Sequence, residues 1–235
     1  MKKLLFVSLF LLLPYFGFSQ TFIALEDENE YTREYHDDIE WVYRYHNDFV
    51  VGVACIYSNV YGKYYQVEIF LKNLTDASYD FNPADVTAII TTNESKSDSL
   101  EVYTNAEFQK KVKNKQNWTL ALESLAASGA GYSNTYSTTV APNGMMYTTT
   151  TSTYNAVAAQ QANENYARLS ESLAEDRMII NDGYLKRNTL HPGEAIQGIM
   201  NIKKKNKGMI LQIHIPVNGF DYVFCYNVSK RDKKM

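Results

Sequence analysis

The chain has 235 residues, of which 45% are hydrophobic, so it is long enough to bury the core of one domain that carries an insertion. Lysine and arginine together number 23 and acidic residues 26, which gives a formal net charge of -3. This balance disfavours nucleic acid as a partner, because binding to a phosphate backbone needs a positive surface.

Residues 1–20, MKKLLFVSLFLLLPYFGFSQ, have the pattern of a secretory signal peptide. Lys2 and Lys3 give a basic start, an apolar run follows, and small residues near Ser19 mark a cleavage site. The apolar run is shorter than the roughly 20 residues that a membrane-spanning helix needs. We therefore expect a secreted protein of the periplasm or extracellular space, with no transmembrane segment after cleavage. Loss of two lysines leaves 21 basic against 26 acidic residues, a net charge of -5.

Residues 21–38 form an acidic leader, which we expect to be solvated. From residue 39 to residue 104, apolar and polar residues alternate, as in strands with one buried face. In YYQVEIFLKN, for example, Val67, Ile69 and Leu71 fall on one side of a strand and polar residues fall on the other. This segment is predicted to be the first part of a β-sandwich.

The hydrophobic period changes after Thr104, where the sequence predicts a helical hairpin insertion over residues 105–182. Thr104 and Glu107 have the spacing of a capping box at the start of a helix over residues 105–128. A second helix is predicted over residues 156–178. The apolar residues expected to hold these helices together are Phe108, Val112, Leu122, Tyr166, Leu169 and Leu173.

Charged residues on the two predicted helices are expected to pair and set the helix register. The first helix carries Lys110, Lys111, Lys113 and Lys115, and the second carries Glu171, Glu175 and Asp176 at about the same height.

Residues 183–230 return to strand patterns and are predicted to be the second part of the β-sandwich. Alternation in MILQIHIPV predicts that Met209, Leu211, Ile213 and Ile215 face inward. Neither part closes a core alone, so we expect both to share one core. Its members would include Val53, Ile69, Ile213 and Phe224.

Cys55 and Cys225 both lie in apolar strand segments. An oxidising compartment permits a disulfide between them. Because unpaired cysteines are often buried, we expect two packed thiols.

The segments YLKRNTLHPGEAIQGIMNI, LQIHIPV and FDYVFCYN resemble secreted immunoglobulin-like β-sandwich proteins of the bacterial envelope, an uncharacterised group with helical, low-complexity insertions. The resemblance covers residues 49–104 and 184–228. It implies an antiparallel immunoglobulin-like β-sandwich interrupted by an inserted αα-hairpin, and it implies no catalytic residue. Trp41 precedes Cys55 here, an order that differs from antibody-type domains, so a core disulfide of that type is not expected.

The sequence contains no standard catalytic motif, so we predict no catalytic residue and no cofactor. His36, Asp37, Asp38, Glu40 and His46 come nearest to a metal cluster. Their spacing fits no ligand pattern, and a solvated leader accounts for them, so no metal site is predicted. His191 and His214 are expected to be surface histidines without a neighbouring nucleophile.

Residues 129–155 form a low-complexity segment between the predicted helices. Two Ser/Thr/Tyr-rich arms flank a PNG turn, as in a hairpin. The low complexity, however, favours a flexible tip without fixed structure. Exposed tyrosines bind partners well, which makes four residues candidate partner contacts: Tyr132, Tyr136, Tyr147 and Tyr154.

Taken together, these features predict a secreted, non-enzymatic binding or structural protein of the cell envelope, whose partner is an unknown protein or glycan. One alternative is a hydrolase of envelope polymers, whose carboxylates meet only in the fold. Another is a self-assembling or pore-forming protein that uses the Ser/Thr/Tyr-rich tip.

Overall fold

The structure is a computed structural model that describes residues 23–25, 31–36, 39–92, 96–130, 132–140, 146–206 and 208–228. The predicted signal peptide lies outside the described residues. The strands are β1 (Ile23–Ala24), β2 (Thr32–His36), β3 (Ile39–His46), β4 (Phe49–Ser58), β5 (Tyr64–Asn73), β6 (Tyr79–Phe81), β7 (Thr87–Thr92), β8 (Ser97–Leu100), β9 (Val102–Tyr103), β10 (Tyr132–Val140), β11 (Met146–Tyr154), β12 (Asn188–Leu190), β13 (Ala195–Lys203), β14 (Gly208–Val217) and β15 (Phe220–Asn227). The helices are α1 (Asn105–Gly129) and α2 (Ala156–Gly183). The described part of the chain is mainly antiparallel β with two α-helices, as predicted.

The chain divides into two compact units. The β unit contains the described residues up to Phe108 and from Gly183 onward, and the helical unit contains Gln109–Asp182. In the β unit one sheet has the strand order β1-β15-β14-β7-β8 and the other has the order β2-β3-β4-β5-β13-β9. A small third sheet joins β6 to β12.

Each large sheet joins strands from both sides of the helical unit. Strand β13 pairs with β5, from Ala195 opposite Lys72 to Lys203 opposite Tyr64. In the other sheet, β14 pairs with β7. Each sheet therefore needs chain that precedes residue 104 and chain that follows residue 183.

The two large sheets share one buried core. The hydroxyl of Tyr226 in β15 donates a hydrogen bond of 2.8 Å to the carbonyl of Val53 in β4, which links one sheet to the other. The four residues expected to meet in a common core are all 0% exposed: Val53, Ile69, Ile213 and Phe224. Their prediction as core residues is confirmed.

One inward-facing residue of β14 was predicted wrongly. Leu211, Ile213 and Ile215 are 0% exposed, but Met209 is 39% exposed. The register with β7 shifts between Gly208 and Ile210, as at a β-bulge. Because a shift of one residue moves side chains to the opposite face, the alternation read from the sequence fails at Met209.

The leader is not simply a solvated segment. It contains β1 and β2. Strand β1 pairs with β15, and β2 pairs with β3. Glu40, expected to be solvated, is instead 5% exposed. Its Oε2 accepts a 3.1 Å bond from the backbone N–H of Ala24, and its Oε1 accepts bonds of 3.2 Å from Arg33 and 3.1 Å from the Tyr35 hydroxyl. These partners offset the desolvation cost of the carboxylate, because a charge is buried stably only with an opposite charge and hydrogen bonds.

Aromatic residues close the β unit where the chain leaves and re-enters it. Phe108 and Tyr184 stack with ring centroids 5.5 Å apart. The Tyr184 hydroxyl donates a hydrogen bond of 2.7 Å to the carbonyl of Tyr103 and accepts one of 3.0 Å from the backbone N–H of Asn201. Burial raises the pKa of Tyr184, so the hydroxyl stays protonated and can donate. The point where the chain leaves the β unit therefore lies beside the point where it returns.

The start of α1 follows the predicted capping box in part. The carboxylate of Glu107 accepts a bond of 2.9 Å from the backbone N–H of Thr104, as predicted. The Thr104 hydroxyl also donates a hydrogen bond of 2.8 Å to this carboxylate. In a full capping box that hydroxyl would instead accept a hydrogen bond from a backbone N–H of the first helical turn.

In the helical unit, side-chain amides hold the two helices in register. Gln116 donates a bond of 2.8 Å to the carbonyl of Leu173, and Gln109 donates one of 3.3 Å to the carbonyl of Arg177. Val112 and Gln116 are buried on α1, but Leu122 is 62% exposed, so its prediction as a seam residue is wrong. On α2, Tyr166, Leu169 and Leu173 are half-buried. The helix also continues past Met178 to Gly183, because residues 179–182 contain no helix-breaking residue.

Gly198 should be the most demanding position of β13. A Cβ at this residue would lie 2.8 Å from the backbone N and Cα of Leu185, whose N–H donates to the carbonyl of Ile199. Because backbone atoms cannot turn aside, Gly198→Ala should lower the free energy of unfolding by about 2 kcal/mol in urea titrations. Gly183→Ala is the control, since nothing lies within 4 Å of a Cβ there. Equal stability of the two variants would contradict this packing.

Candidate functional site

Residues 132–154 contain a β-hairpin in place of the expected flexible tip. Strands β10 and β11 form an antiparallel ladder from Tyr132 opposite Tyr154 to Val140 opposite Met146. Threonine and tyrosine, which dominate both arms, favour extended backbone and explain why a low-complexity segment adopts strands. The two arms that flank the PNG motif in the sequence are thus paired strands.

Two of the four candidate tyrosines meet at the base of this hairpin. The rings of Tyr132 and Tyr154 lie 5.2 Å apart with an interplanar angle of 53°. They are 63% and 61% exposed. Tyr136 is opposite Thr150 and Tyr147 opposite Thr139 in the ladder, but the side chains of Tyr136 and Tyr147 lie outside the described part of the structure.

The base of the hairpin is held by its flanking residues. Asn155 caps α2, because its side-chain oxygen accepts bonds of 3.1 Å from the N–H groups of Val157 and Ala158. The Thr153 hydroxyl donates a hydrogen bond of 3.3 Å to the carbonyl of Ser133. The tyrosine pair therefore sits between a strand ladder and a capped helix, and both restrict the backbone that carries the two rings.

Three of the five residues that come nearest to a metal cluster are described, and each has its own separate contacts. His36 pairs with Glu34 at 3.1 Å, Glu40 is buried among its own partners, and the ring of His46 stacks on Phe220 at 3.7 Å. Asp37 and Asp38 lie outside the described residues. Among the residues that are described, no group of three or more His, Cys, Asp or Glu side chains has the arrangement of a metal site.

A serine lies beside one of the two surface histidines, which the sequence did not suggest. The Ser78 hydroxyl and Nδ1 of His191 are 2.9 Å apart, although 113 positions separate these residues in the chain. Both side chains are exposed, and the carboxylate of Glu194 accepts from the backbone N–H of His191 and not from its ring. A catalytic Ser–His pair needs an acid on the ring to fix its tautomer, so this contact fits a turn better than a nucleophile.

His214 contacts a carboxylate. Its Nδ1 lies 2.7 Å from Asp221 on the neighbouring strand, and its Nε2 is buried without a hydrogen-bond partner in the described residues. The buried nitrogen has no access to a substrate, so this pair offers no general base.

One exposed apolar face was missed in the sequence. Trp118, Leu122 and Leu125 of α1 are 72%, 62% and 71% exposed. Their spacing of four and three residues puts them on one side of the helix. A groove of about 390 Å³ lies beside them, lined by Asn114, Asn117, Trp118 and Ala121. We call Trp118, Ala121, Leu122 and Leu125 the exposed α1 face. The sequence shows this spacing, but the prediction that Leu122 faces the second helix hides the exposed face.

Comparison with known protein families, with characterised proteins and with solved structures finds no match to this chain. None of the helices among the described residues combines the length and the apolar character that crossing a membrane requires. The candidate site consequently rests on geometry alone.

Cys55 should react as a protected thiol. Cys55 and Cys225, which are both described, are not joined by a disulfide. Burial raises the pKa of Cys55, so its thiolate should stay scarce as the pH rises from about 7 to 9, where an ordinary thiol ionises. We expect Cys225→Ser protein, which retains Cys55, to resist a thiol reagent over this pH range and to react fully once it is denatured.

Thiol counting on the denatured wild-type protein without reductant should find two reactive groups. A count of zero would show a disulfide and contradict the structure. Rapid labelling of Cys55 in the folded Cys225→Ser protein would contradict its burial.

Proposed function

We propose that this chain is a secreted, non-enzymatic binding protein of the bacterial cell envelope, and that Tyr132 and Tyr154 contact its partner. The observation that carries the proposal is the pair of tyrosine rings, each more than half exposed, at the base of the β10–β11 ladder. Aromatic side chains dominate binding energies because they bury a large apolar area and keep a polar tip.

The geometry of the pair favours a protein partner over a glycan. Sugars stack on a flat aromatic surface, whereas these two rings are inclined by 53° and form a wedge. Such a wedge suits a compact apolar side chain of another protein, with the two hydroxyls available for hydrogen bonds at the edge. The partner is therefore proposed to be an envelope protein.

Secretion is proposed from the signal-peptide pattern of residues 1–20. An immunoglobulin-like sandwich is proposed for the β unit on the resemblance of residues 49–104 and 184–228. Two antiparallel sheets that share a core support this assignment. A folded core with the binding hairpin outside it is an arrangement common among extracellular binding proteins.

The Tyr132→Ala/Tyr154→Ala protein should lose partner binding and keep its fold. Both rings are exposed, so their removal costs little packing, while a central aromatic contact typically contributes about 2 kcal/mol or more to binding. The measurement compares wild-type and variant mature protein, immobilised at equal density, in capture from an extract of envelope proteins. Each captured protein is then purified and its dissociation constant is measured.

Tyr45→Ala is the matched control, because Tyr45 is also 61% exposed but lies in β3. The proposal requires that this control binds as well as wild type. Equal binding by the double variant and the control would contradict it. Binding of purified envelope glycan that depends on Tyr132 and Tyr154 would exclude a protein partner in favour of a sugar.

A further inference from the structure

The exposed α1 face is an unusual feature for a monomer. Isolated apolar side chains are common on protein surfaces, but a tryptophan and two leucines on consecutive turns form a contiguous patch. All of them belong to the helical unit, and none of them takes part in the Gln109 and Gln116 contacts that hold α1 to α2. From this face we propose that a second copy of the chain docks on α1, with the two α1 helices antiparallel about a two-fold axis.

The shape of the face is self-complementary in this arrangement. The groove lined by Asn114, Asn117, Trp118 and Ala121 lies toward the N-terminal side of the patch, and the protruding leucines lie toward its C-terminal side. An antiparallel pairing that sets Trp118 opposite Leu122 of the second copy also brings Leu125 of the second copy to the level of the groove. Two-fold symmetry repeats both contacts, as an isologous interface requires.

Charge selects the antiparallel direction. All four lysines of α1 lie between Lys110 and Lys115, and its acidic residues are Glu107 and Glu123. Antiparallel packing sets this lysine-rich half against the last turns of the second copy, which contain no lysine. The carbonyl groups at the end of a helix carry partial negative charge, which adds to the attraction. Parallel packing would place lysines against lysines.

The dimer should be weak, because a contact of a few helical turns buries less than the roughly 800 Å² per partner of a standard interface. We expect a dissociation constant on the order of 10–100 µM in sedimentation equilibrium of the mature protein. Leu125→Lys should raise this constant by about tenfold or more, because it places a charge beside Trp118 of the groove and opposite the lysine-rich half of the second copy. Ile179→Lys is the control, since Ile179 of α2 is 71% exposed, as is Leu125.

Cross-linking tests the direction of the helices. In a Cys55→Ala/Cys225→Ala background, Ala121→Cys lies close to the two-fold axis and should form a disulfide dimer on mild oxidation. Asn114→Cys should not, because its copies lie about 18 Å apart along the antiparallel helices. Dimers of Asn114→Cys without dimers of Ala121→Cys would overturn the antiparallel arrangement.

A monomer at all accessible concentrations, or a dimer that Leu125→Lys and Ile179→Lys weaken equally, would overturn the proposal. Vesicles with anionic lipids form a further arm of the experiment. A protein that stays monomeric but binds these vesicles through Leu125 would show that the occupant of the face is a lipid surface and not a second copy. Unchanged thermal unfolding of the variants serves to exclude misfolding.

Discussion

The ladder between β5 and β13 is the constraint on which the rest of the structure depends. It joins chain that precedes the helical unit to chain that follows it, and both strands lie inside the larger sheet. Interior strands leave their backbone groups unpaired when a neighbour is missing, and unpaired buried groups are costly. The first part of the β unit is therefore incomplete until the second part has been added.

The insertion is compatible with this constraint because its ends are close together. Phe108 stacks on Tyr184, and the Tyr184 hydroxyl is fixed by Tyr103 and Asn201. With its exit and entry points adjacent, the chain between them can extend without breaking either sheet. This explains how a β unit with a continuous core can carry two helices and a tyrosine-bearing hairpin.

Local patterns in the sequence were sufficient for the main elements, because alternation and helical spacing follow directly from backbone geometry. They were insufficient wherever a distant residue decides the outcome. The burial of Glu40 depends on Ala24, Arg33 and Tyr35, and the exposure of Met209 depends on a shift against β7. At the candidate site, the exposed tyrosines were predictable from composition. The closeness of Tyr132 and Tyr154 required the register of the hairpin, and the exposed α1 face required the contacts that orient α1.

Native-state hydrogen exchange of the full chain tests most directly whether the β unit is one cooperative core. We expect the amides of Val67 in β5 and Met200 in β13, which are opposite each other, to open with the same free energy and the same denaturant dependence. Amides of Ile213 and Phe224 in the second sheet should follow them. If Val67 stayed protected at a denaturant concentration where Met200, Ile213 and Phe224 had already exchanged, the first part would be stable alone. That result would contradict a core that both parts of the chain must build together.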